Sequence, residues 1–229
     1  MLLAGVCLSL ALTGCAHSPP EEPLDPLEPV NRVTWDVNMK VDRYVLRPVA
    51  RGYVKYTPYP VRVGVSNFFD NLFYPTVIVS DFLQAKMGQG LMDTSRFLVN
   101  TTVGVVGIFD VAKHMGLDKH DEDLGQTFGV WGVGQGWYLI LPLAGPSTNR
   151  DFVGSTLAGY LSPLTYVDPA IRVPLTVMYA VDIRTALLRV DRVLDAAFDP
   201  YAFVRGAYLQ RREAQVQDLD DGDNPQGFF

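Results

Sequence analysis

The sequence predicts a mainly helical protein whose body forms a single domain. Apolar residues recur at the spacing of one helix face in several segments, which is typical of amphipathic helices. The body is of single-domain size and contains neither an internal repeat nor a linker-like stretch. Beyond the N-terminal leader, no segment supplies the roughly 18 to 20 unbroken apolar residues of a membrane-spanning helix, whereas helices that lie in one leaflet remain allowed.

The first half of the body contains three predicted helices. The first opens at Pro60, and Pro75 is expected to interrupt it because proline lacks the N–H that a helix interior needs. The second covers residues 77–84, and the third covers about residues 91–100. One face of the first helix collects the apolar residues Val61, Val65, Phe68, Phe69 and Leu72.

Residues 171–198 give the clearest helical signal. Charged residues occupy the other faces of this segment, which predicts a helix with one buried apolar side. Asp199 and Pro200 end it and start the next helix, with Asp as the cap and Pro at the first position. The apolar stripe consists of Ile183, Leu187, Val190, Leu194 and Ala197, and the charged residues are Arg184, Arg189, Asp191, Arg192 and Asp195.

Glycine accumulates between residues 125 and 142, with five glycines in twelve residues. Each lowers helix stability by up to about 1 kcal/mol relative to alanine. The stretch therefore predicts a Gly-rich loop, with a short hairpin around Gly134–Gly136 as an option. Gly104 and Gly107, which follow Asn100, instead indicate close packing of one helix against another.

Residues 1–14 are predicted to be a signal peptide that is removed on export. They form an apolar run of signal length that stops at Leu12-Thr13-Gly14-Cys15 and gives way to polar sequence. A bulky apolar residue, two small residues and a cysteine form the pattern at which bacteria attach diacylglycerol and cleave the chain. Cys15 is therefore expected to become a lipidated N-terminus. The alternative is a buried apolar helix that happens to hold two cysteines.

The cysteine count supports the lipoprotein interpretation. Cys7 leaves with the leader and Cys15 is acylated, so the mature chain keeps no thiol for a disulfide, a metal site or nucleophilic catalysis. Each buried methylene contributes about 0.8 kcal/mol, so several acyl chains give a lasting anchor. Ala16 stands where an Asp favours retention in the inner membrane. The expected location is the periplasmic side of the outer membrane of a Gram-negative bacterium.

Acidic charge is concentrated at the two ends. Residues 15–29 form the lipidated N-terminus and a tether rich in proline and acid, residues 30–217 form the body, and residues 218–229 form a tail predicted to be disordered. Removing the eight terminal acids from the net charge of −6 leaves about +2 for the body, without the basic patch of a nucleic-acid binder. These acids are Glu21, Glu22, Asp25, Glu28, Asp218, Asp220, Asp221 and Asp223.

Motifs for cofactor binding are weak. A dinucleotide site needs a strand, a glycine turn and a helix in succession, but Pro142 and Pro146 follow the glycine cluster where the helix would run. The segment Gly107–Lys113 lacks the second glycine and the Ser or Thr of a nucleoside triphosphate loop. We therefore expect no cofactor.

Catalytic and metal-binding motifs are also weak. The serine elbow of lipid hydrolases is absent, since Gly64-Val65-Ser66 and Gly154-Ser155-Thr156 lack the flanking pattern. Asp110 and His114 share a helical spacing at which a metal or base role can be imagined, but no second ligand pair accompanies them. A partly exposed histidine near a helix end is the plainer interpretation. We therefore expect no catalytic residue and no metal.

Four blocks of residues, in a fixed order, cover nearly all of residues 25–212. They are Asp25-Pro-Leu-Glu-Pro-Val-Asn31-Arg32 with Asn38 and Arg47-Pro48; Arg96-Phe-Leu-Val-Asn100-Thr-Thr-Val-Gly104 with Gly107 and Asp110-Val-Ala112; Gly125-Gln126-Thr127, Gly129, Trp131-Gly132-Val133, Leu141-Pro142, Gly145-Pro146-Ser147-Thr148 and Arg150-Asp151; and Asp199-Pro-Tyr201, Arg205 and Tyr208-Leu-Gln-Arg-Arg212. In this order the blocks resemble the MlaA family, also called VacJ lipoproteins. Val37, Ala85 and Trp137 depart from the family pattern.

The resemblance implies a mainly helical, ring-like domain embedded in the inner leaflet of the outer membrane, with an amphipathic channel through it. Such a protein is expected to draw phospholipid from the outer leaflet and pass it to a periplasmic phospholipid-binding carrier, without enzymatic activity. The resemblance also implies association with an outer-membrane porin trimer. A structural envelope lipoprotein and a lipid hydrolase are the alternatives.

Two groups of residues become candidates for the channel or its gating. Asn31, Arg32 and Asn38 are expected to anchor the N-terminal segment against the ring. The segment Gly129–Gly136 is expected to be a flexible element beside the channel, because glycine permits backbone changes that other residues resist. Its candidate residues are Gly129, Trp131, Gly132, Gly134 and Gly136.

Overall fold

The computed structural model describes residues 25–219 and is mainly helical there, as predicted. The leader, Cys15 and the tail from residue 220 lie outside the described residues. The described elements are α1 (Glu28–Val41), α2 (Arg47–Tyr56), α3 (Tyr59–Leu83), α4 (Met87–Thr102), α5 (Val111–His114), α6 (Leu124–Val130), β1 (Tyr138–Leu141), β2 (Gly145–Thr148), α7 (Asn149–Leu161), α8 (Pro169–Leu187), α9 (Asp191–Ala196) and α10 (Pro200–Val216). Short 3-10 turns lie at Pro163–Tyr166 and Leu188–Val190.

Helices α1 and α2 are joined without a break by a π turn at Asp42–Leu46. A π turn inserts a residue into the helical ladder and changes the face that the following residues present. The apolar side of this pair points outward, since Val33 is 66% exposed. Asn31 and Arg47 are buried instead. Apolar periodicity therefore does not predict this long helical segment.

The prediction that Pro75 interrupts a helix is wrong. Helix α3 runs from Tyr59 to Leu83 through that proline. An interior proline costs about 3 kcal/mol or more, so packing on both sides has to offset it. Before the proline, the Tyr74 hydroxyl donates to Asp93 of α4 at 2.7 Å. After it, Asp81 is fully buried. The third predicted helix is confirmed as α4, with wider bounds.

The glycine-rich stretch contains a helix, and the option of a hairpin at Gly134–Gly136 is wrong. Residues Leu124–Val130 form α6, which Asp123 caps by accepting a hydrogen bond from the N–H of Gln126 at 2.8 Å. The hairpin follows it: β1 pairs with β2 in antiparallel register, with Tyr138 opposite Thr148. The residues between α6 and β1 are irregular.

Glycines in α6 serve close packing, which explains why a helix forms there despite their low helix propensity. A Cβ atom at Gly125 would lie 2.6 Å from an oxygen of Asp151, and one at Gly129 would lie 2.6 Å from a methyl group of Val216. The close packing predicted for Gly107 is confirmed, since a Cβ there would overlap Asn71 of α3.

The apolar stripe predicted in residues 171–198 is only partly the buried side of that segment, since Val190 is buried and Leu187, Leu194 and Ala197 are half-buried. Ile183 is 43% exposed, whereas Arg184 and Asp191 are buried. The Arg184 guanidinium donates to the Asp191 carboxylate at 2.7 Å, so the inward face contains an ion pair beside the buried Val181 and Val190. The 3-10 turn at Leu188–Val190 between α8 and α9 also breaks the periodicity from which the stripe was inferred.

Helix α10 starts as predicted and closes the body against the hairpin. The Asp199 carboxylate accepts a hydrogen bond from the N–H of Ala202 at 3.1 Å, and Pro200 is the first helical residue. Tyr201 is 1% exposed and packs with Tyr138 and Ile140 of β1 in a small apolar core.

The described body buries more polar side chains than apolar ones. Among residues 25–219, twenty polar or charged residues are buried, against twelve apolar ones, while forty large apolar residues are exposed. Soluble monomers rarely expose apolar surface on this scale. No helix in this range is both long and apolar enough to cross a bilayer. Such an exterior is suited to an apolar environment that covers part of the body.

Candidate functional site

Two asparagines of α1 hold the hairpin by pairing with its backbone. The amide of Asn31 donates to the carbonyl of Tyr138 and accepts from the N–H of Ile140, both at 2.9 Å. Asn38, two helical turns later, donates to the carbonyl of Leu141 at 2.9 Å and accepts from the backbone of the turn that follows. The edge of β1 that does not face β2 is thus paired with side chains of α1.

Asn31 is held in turn by a buried carboxylate. Its amide donates to Asp25 at 2.8 Å, and Asp25 also accepts from the Tyr201 hydroxyl and from Arg205 at 3.0 Å. Asp25 is 4% exposed and α1 begins at Glu28. Burial of the chain therefore begins by Asp25, within the residues assigned above to the predicted tether.

Arg32 joins α1 to the start of α10. Its guanidinium donates to Asp199 at 2.7 Å and to Glu28 at 2.8 Å, and lies 4.5 Å from the centre of the Tyr201 ring. The hydrogen bonds to Asp199 and Glu28 raise the pKa of Arg32 above its usual value. Asn31, Arg32 and Asn38 thus all lie at contacts of α1, while a role for them in gating stays a prediction.

A groove of about 630 Å³ lies between the α1–α2 helical segment and the residues from Leu194 to Tyr201. We call it the arginine groove, because four arginines line it together with three aspartates and several apolar side chains. Its lining residues are Arg32, Trp35, Asp36, Met39, Arg43, Arg47, Arg51, Leu194, Asp195, Asp199, Pro200 and Tyr201.

Buried ion pairs build the inner wall of the arginine groove. Arg47, 7% exposed, lies 3.0 Å from Asp195, 3.3 Å from Asp42 and 3.5 Å from Asp191. Arg184 pairs with the last two of these carboxylates. Burial alone would lower the pKa of Arg47, but the carboxylates outweigh it and the pKa is raised. The wall therefore stays charged, with both guanidinium groups paired to carboxylates, while the Nη1 atom of Arg184 is buried without a hydrogen-bond partner among the described residues.

The mouth of the groove carries charges that the described protein does not neutralise. Within residues 25–219, Arg43 and Asp36 form no hydrogen bond or ion pair through their side chains. Arg51 pairs with Asp191 at 3.3 Å, but its side chain is 61% exposed. Trp35 and Met39 add apolar surface beside them. The groove is therefore suited to bind a ligand that has both charged and apolar parts.

The predicted glycine and tryptophan candidates lie apart from the arginine groove. Gly129 is packed inside α6, so it is not a flexible position. Trp131 is 55% exposed and donates its ring N–H to the carbonyl of Leu83 at 3.0 Å. Gly132 has a φ of +86° and Gly134 has open space around it. None of them, nor Gly136, lines the groove.

Comparisons with known proteins agree with this fold and with the resemblance described above. The family model for the MlaA lipoprotein matches residues 23–215. This chain belongs to the MlaA lipoprotein family. The "Intermembrane phospholipid transport system lipoprotein MlaA" of Escherichia coli strain K12 is 38% identical over 224 residues, which cover 93% of this chain and 88% of that protein. The Haemophilus influenzae protein of the same name is 32% identical over 227 residues, 95% of this chain and 90% of that one.

A solved structure extends the comparison to three dimensions. It comes from work on the structural basis for maintenance of bacterial outer membrane lipid asymmetry. The superposition has a TM-score of 0.75 at 38% identity and covers 84% of this chain and 98% of the other. The MlaA family assignment and the mainly helical fold are therefore confirmed.

Sequence reasoning missed the groove of this MlaA family protein, although the sequence contains a signal for it. Arg43, Arg47 and Arg51 are spaced by four, as are Asp191 and Asp195, so each set lies on one helix face. Two helical stripes of opposite charge indicate faces that pack against each other. Apolar periodicity, the usual guide, cannot find an interface that is made of ion pairs.

A second polar cluster, away from the groove, joins α3 and α4. Asp81 and Asp93 are both fully buried, and His120 lies with its Nδ1 atom 3.0 Å from Asp93. Burial and then the neighbouring Asp93 raise the pKa of Asp81 to about 8. Asp81 is thus a neutral acid near pH 7 inside the helical body.

Asp110 is the N-cap of α5, and His114 is the last residue of that helix. The Asp110 carboxylate accepts hydrogen bonds from Arg96 at 2.5 Å and from Asn100 at 3.0 Å, and from the backbone of Lys113. These bonds lower the pKa of Asp110 although burial opposes them. No group of three or more His, Cys, Asp or Glu side chains in the described part of the chain is placed to hold a metal ion.

Proposed function

We propose that this protein is the outer-membrane lipoprotein of an intermembrane phospholipid transport system, and that it helps maintain lipid asymmetry by removing phospholipid from the outer leaflet. Its relatives in Escherichia coli and Haemophilus influenzae are named for that system. The observation that carries the proposal is the combination of an apolar exterior with a charged groove in one small body.

A phospholipid presents a charged head and apolar tails, so a protein that moves it has to satisfy both. Stranding the charged head in hydrocarbon costs several kcal/mol. In the arginine groove, the guanidinium of Arg43, which has no partner within residues 25–219, is suited to a lipid phosphate through charge-assisted hydrogen bonds. The apolar side chains of Trp35 and Met39 are suited to the upper part of the tails. This arrangement binds and guides a lipid without breaking a bond.

The position of the body at the membrane follows from the proposed anchor. Acylation of Cys15 would tie the chain to the bilayer, and the ten residues from there to Asp25 reach at most about 35 Å when fully extended. The outer membrane is the proposed site, on its periplasmic side. A trimeric porin and a periplasmic phospholipid-binding carrier are the proposed partners, by analogy with the family.

Two other functions make different predictions for purified protein mixed with labelled phospholipid. A lipid hydrolase would produce lysolipid or free fatty acid, which thin-layer chromatography separates from the starting lipid. A structural lipoprotein would neither change the phospholipid nor retain it on a size-exclusion column. We expect retained, unchanged phospholipid. Appearance of lysolipid would overturn the proposal that this protein is not an enzyme.

The cellular test compares outer-leaflet phospholipid in a deletion strain with and without the gene supplied on a plasmid. We expect the deletion to raise outer-leaflet phospholipid and the wild-type gene to restore it. A Cys15→Ala variant, which cannot be acylated at that position, should reach the periplasm but restore asymmetry poorly. An unchanged outer leaflet in the deletion strain would refute the transport function.

A further inference from the structure

The lining of the arginine groove contains one cation that no carboxylate neutralises. Arg32, Arg47 and Arg51 each have a guanidinium nitrogen within 3.3 Å of a carboxylate oxygen. Arg43 lines the same groove and is exposed, and no carboxylate among residues 25–219 pairs with it. Because arginine stays charged in proteins, the groove presents one positive charge that a ligand can neutralise.

The lining also contains one anion without a cation. Asp199 and Asp195, two of its three aspartates, are paired with Arg32 and Arg47. Asp36 is exposed, and its carboxylate has no ion pair or hydrogen bond in the described part of the chain. The arginine one helical turn before it, Arg32, is already held by two carboxylates. Asp36 therefore presents a negative charge to the same groove.

Asp36 and Arg43 face the groove from one continuous helical segment. They are seven residues apart, close to two helical turns, so they lie one above the other at a rise of about 10 Å. Met39 lies between them in sequence, and Trp35 precedes Asp36; both line the groove as well. The long side chain of Arg43 and a small charged group between the two residues can together span that rise.

A ligand that matches this pair carries a negative and a positive charge a short distance apart. The phosphate of a phospholipid supplies the negative charge, to which the guanidinium of Arg43 can donate charge-assisted hydrogen bonds. An ethanolamine head group adds a primary ammonium two carbon atoms beyond the phosphate oxygen, and its N–H groups can donate to the Asp36 carboxylate. The groove, at about 630 Å³, lies within the size range of small-ligand sites.

A purely anionic head group matches the pair less well. Phosphatidylglycerol has the same phosphate but ends in uncharged hydroxyl groups, so the charge of Asp36 would stay unneutralised beside it. A head group with two negative charges would bring its second charge toward Asp36 and be repelled. A groove that only attracts anions gains nothing from an unpaired carboxylate. The residue that distinguishes between head groups is therefore Asp36, whereas Arg43 serves every phosphate.

We propose that the arginine groove selects phospholipids with a zwitterionic, ethanolamine-type head group, with Arg43 on the phosphate and Asp36 on the ammonium. The inference rests on the proposed function, because it takes phospholipid to be the ligand. It deepens that function by naming the class of head group and the residue that recognises it. Exposed ion pairs are weak, so the expected preference over phosphatidylglycerol is about two- to fivefold.

The test is a competition between two phospholipids with identical acyl chains. Full-length lipoprotein in a non-ionic detergent is mixed with equal amounts of phosphatidylethanolamine and phosphatidylglycerol, re-isolated by size exclusion and extracted. Thin-layer chromatography gives the amount of each lipid that co-purifies. Lipid that an Arg43→Glu variant still retains is bound outside the groove and is subtracted.

Three variants separate head-group selection from other effects. Asp36→Asn removes the charge at nearly constant shape, and Asp36→Lys reverses it. Asp118→Asn changes an exposed aspartate outside the groove and is the matched control. We expect the wild type and Asp118→Asn to enrich phosphatidylethanolamine about two- to fivefold. Asp36→Asn should retain both lipids near the input ratio, and Asp36→Lys should favour phosphatidylglycerol.

Wild-type protein that retains both lipids at the input ratio would overturn the inference, as would an enrichment that is unchanged in Asp36→Asn. Equal loss of both lipids from both Asp36 variants would also overturn it, because Asp36 would then support the groove and not select the head group. The total amount of retained lipid tests the proposed function separately. Normal total retention without a head-group preference refutes only the selection by Asp36, whereas the absence of any retained lipid refutes the binding on which both proposals depend.

Discussion

The backbone N–H of Leu143 donates a 2.9 Å hydrogen bond to the side-chain oxygen of Asn38, 105 residues earlier in the chain. Leu143 has a φ of 63°, a left-handed conformation that is costly for leucine. The same asparagine donates to the carbonyl of Leu141. One side chain of α1 thus holds the start and the tip of the hairpin turn. The position of the two-stranded hairpin is set by a helix and not by a larger sheet.

Replacing Asn38 with alanine should loosen the hairpin. The change leaves two backbone groups without partners, at a cost of about 1 to 3 kcal/mol if water does not reach them. We expect faster amide hydrogen exchange in residues 138–148, with α3 and α4 unaffected, and impaired lipid asymmetry in cells. Thr34→Ala is the control on the same helix, because the Thr34 hydroxyl bonds only to its own helix at Val30. If the hairpin amides are equally protected from hydrogen exchange in the Asn38→Ala and Thr34→Ala variants, Asn38 does not hold the hairpin.

Reversing the charge at Arg43 should impair lipid handling without unfolding the protein. Arg43 is exposed at the mouth of the arginine groove and has no partner within residues 25–219. A charge-assisted hydrogen bond to phosphate contributes about 1.5 to 3 kcal/mol, so Arg43→Glu should weaken phospholipid retention by roughly tenfold or more. Lys40→Glu is the matched control, an exposed cation in the same α1–α2 helical segment that does not line the groove. If equal amounts of phospholipid co-purify with the Arg43→Glu and Lys40→Glu variants, Arg43 does not contribute to phospholipid binding.

Local chemistry predicts several features of this fold correctly. The cap at Asp199 and the helical identity of α4 depend on side chains within a few residues, so the sequence is sufficient to infer them. The close approach at Gly107 also follows from glycine alone. The family resemblance, carried by several ordered blocks, predicts the mainly helical fold.

The errors in predicting buried helix faces share one physical cause, which is the inverted polarity of the body. The rule that a helix buries its apolar side fails for α1 and α8, where Val33 and Ile183 are exposed while Asn31 and Arg184 are buried. The partners of buried polar groups lie far away in sequence, as with Asn31 and Tyr138. No local pattern identifies such pairs, so the hairpin contacts emerge only from the three-dimensional structure. The arginine groove differs, because the spacing of its arginines and aspartates indicates two charged helix faces, although not which residues pair.

The stability of the protein should fall as pH rises from about 4 to 8, because of Asp81. The pKa of this buried carboxyl is raised to about 8, first by burial and then by Asp93, whereas an aspartate in an unfolded chain titrates near pH 3.9. Between these values the folded protein holds a proton that the unfolded chain has released. Each unit by which the pH rises in this window therefore lowers the free energy of unfolding by at most about 1.4 kcal/mol.

An Asp81→Asn variant tests this, because asparagine resembles the neutral carboxyl. Urea unfolding in detergent at pH 5 and pH 7.5 should show a smaller loss of stability between the two pH values than in the wild type. Asp118→Asn, at an exposed position, should keep the wild-type difference. An identical pH dependence in the Asp81→Asn variant and the wild type would show that this carboxyl does not hold the extra proton.

Substitutions in the glycine segment should separate packing from flexibility. Gly129→Ala should destabilise the protein by about 1 to 3 kcal/mol, because the new methyl group would meet Val216 and Arg150 inside the body. Gly134→Ala has open space and no positive φ, so the fold should tolerate it. Alanine nevertheless restricts the backbone of the loop. The hypothesis that this loop is a flexible element beside the channel therefore predicts altered lipid asymmetry in the Gly134→Ala variant, at a normal protein level. Thermal unfolding measures the loss of stability in Gly129→Ala, and the amount of outer-leaflet phospholipid measures the change of asymmetry in Gly134→Ala. Normal asymmetry in Gly134→Ala would limit the functional surface to the arginine groove and the hairpin contacts.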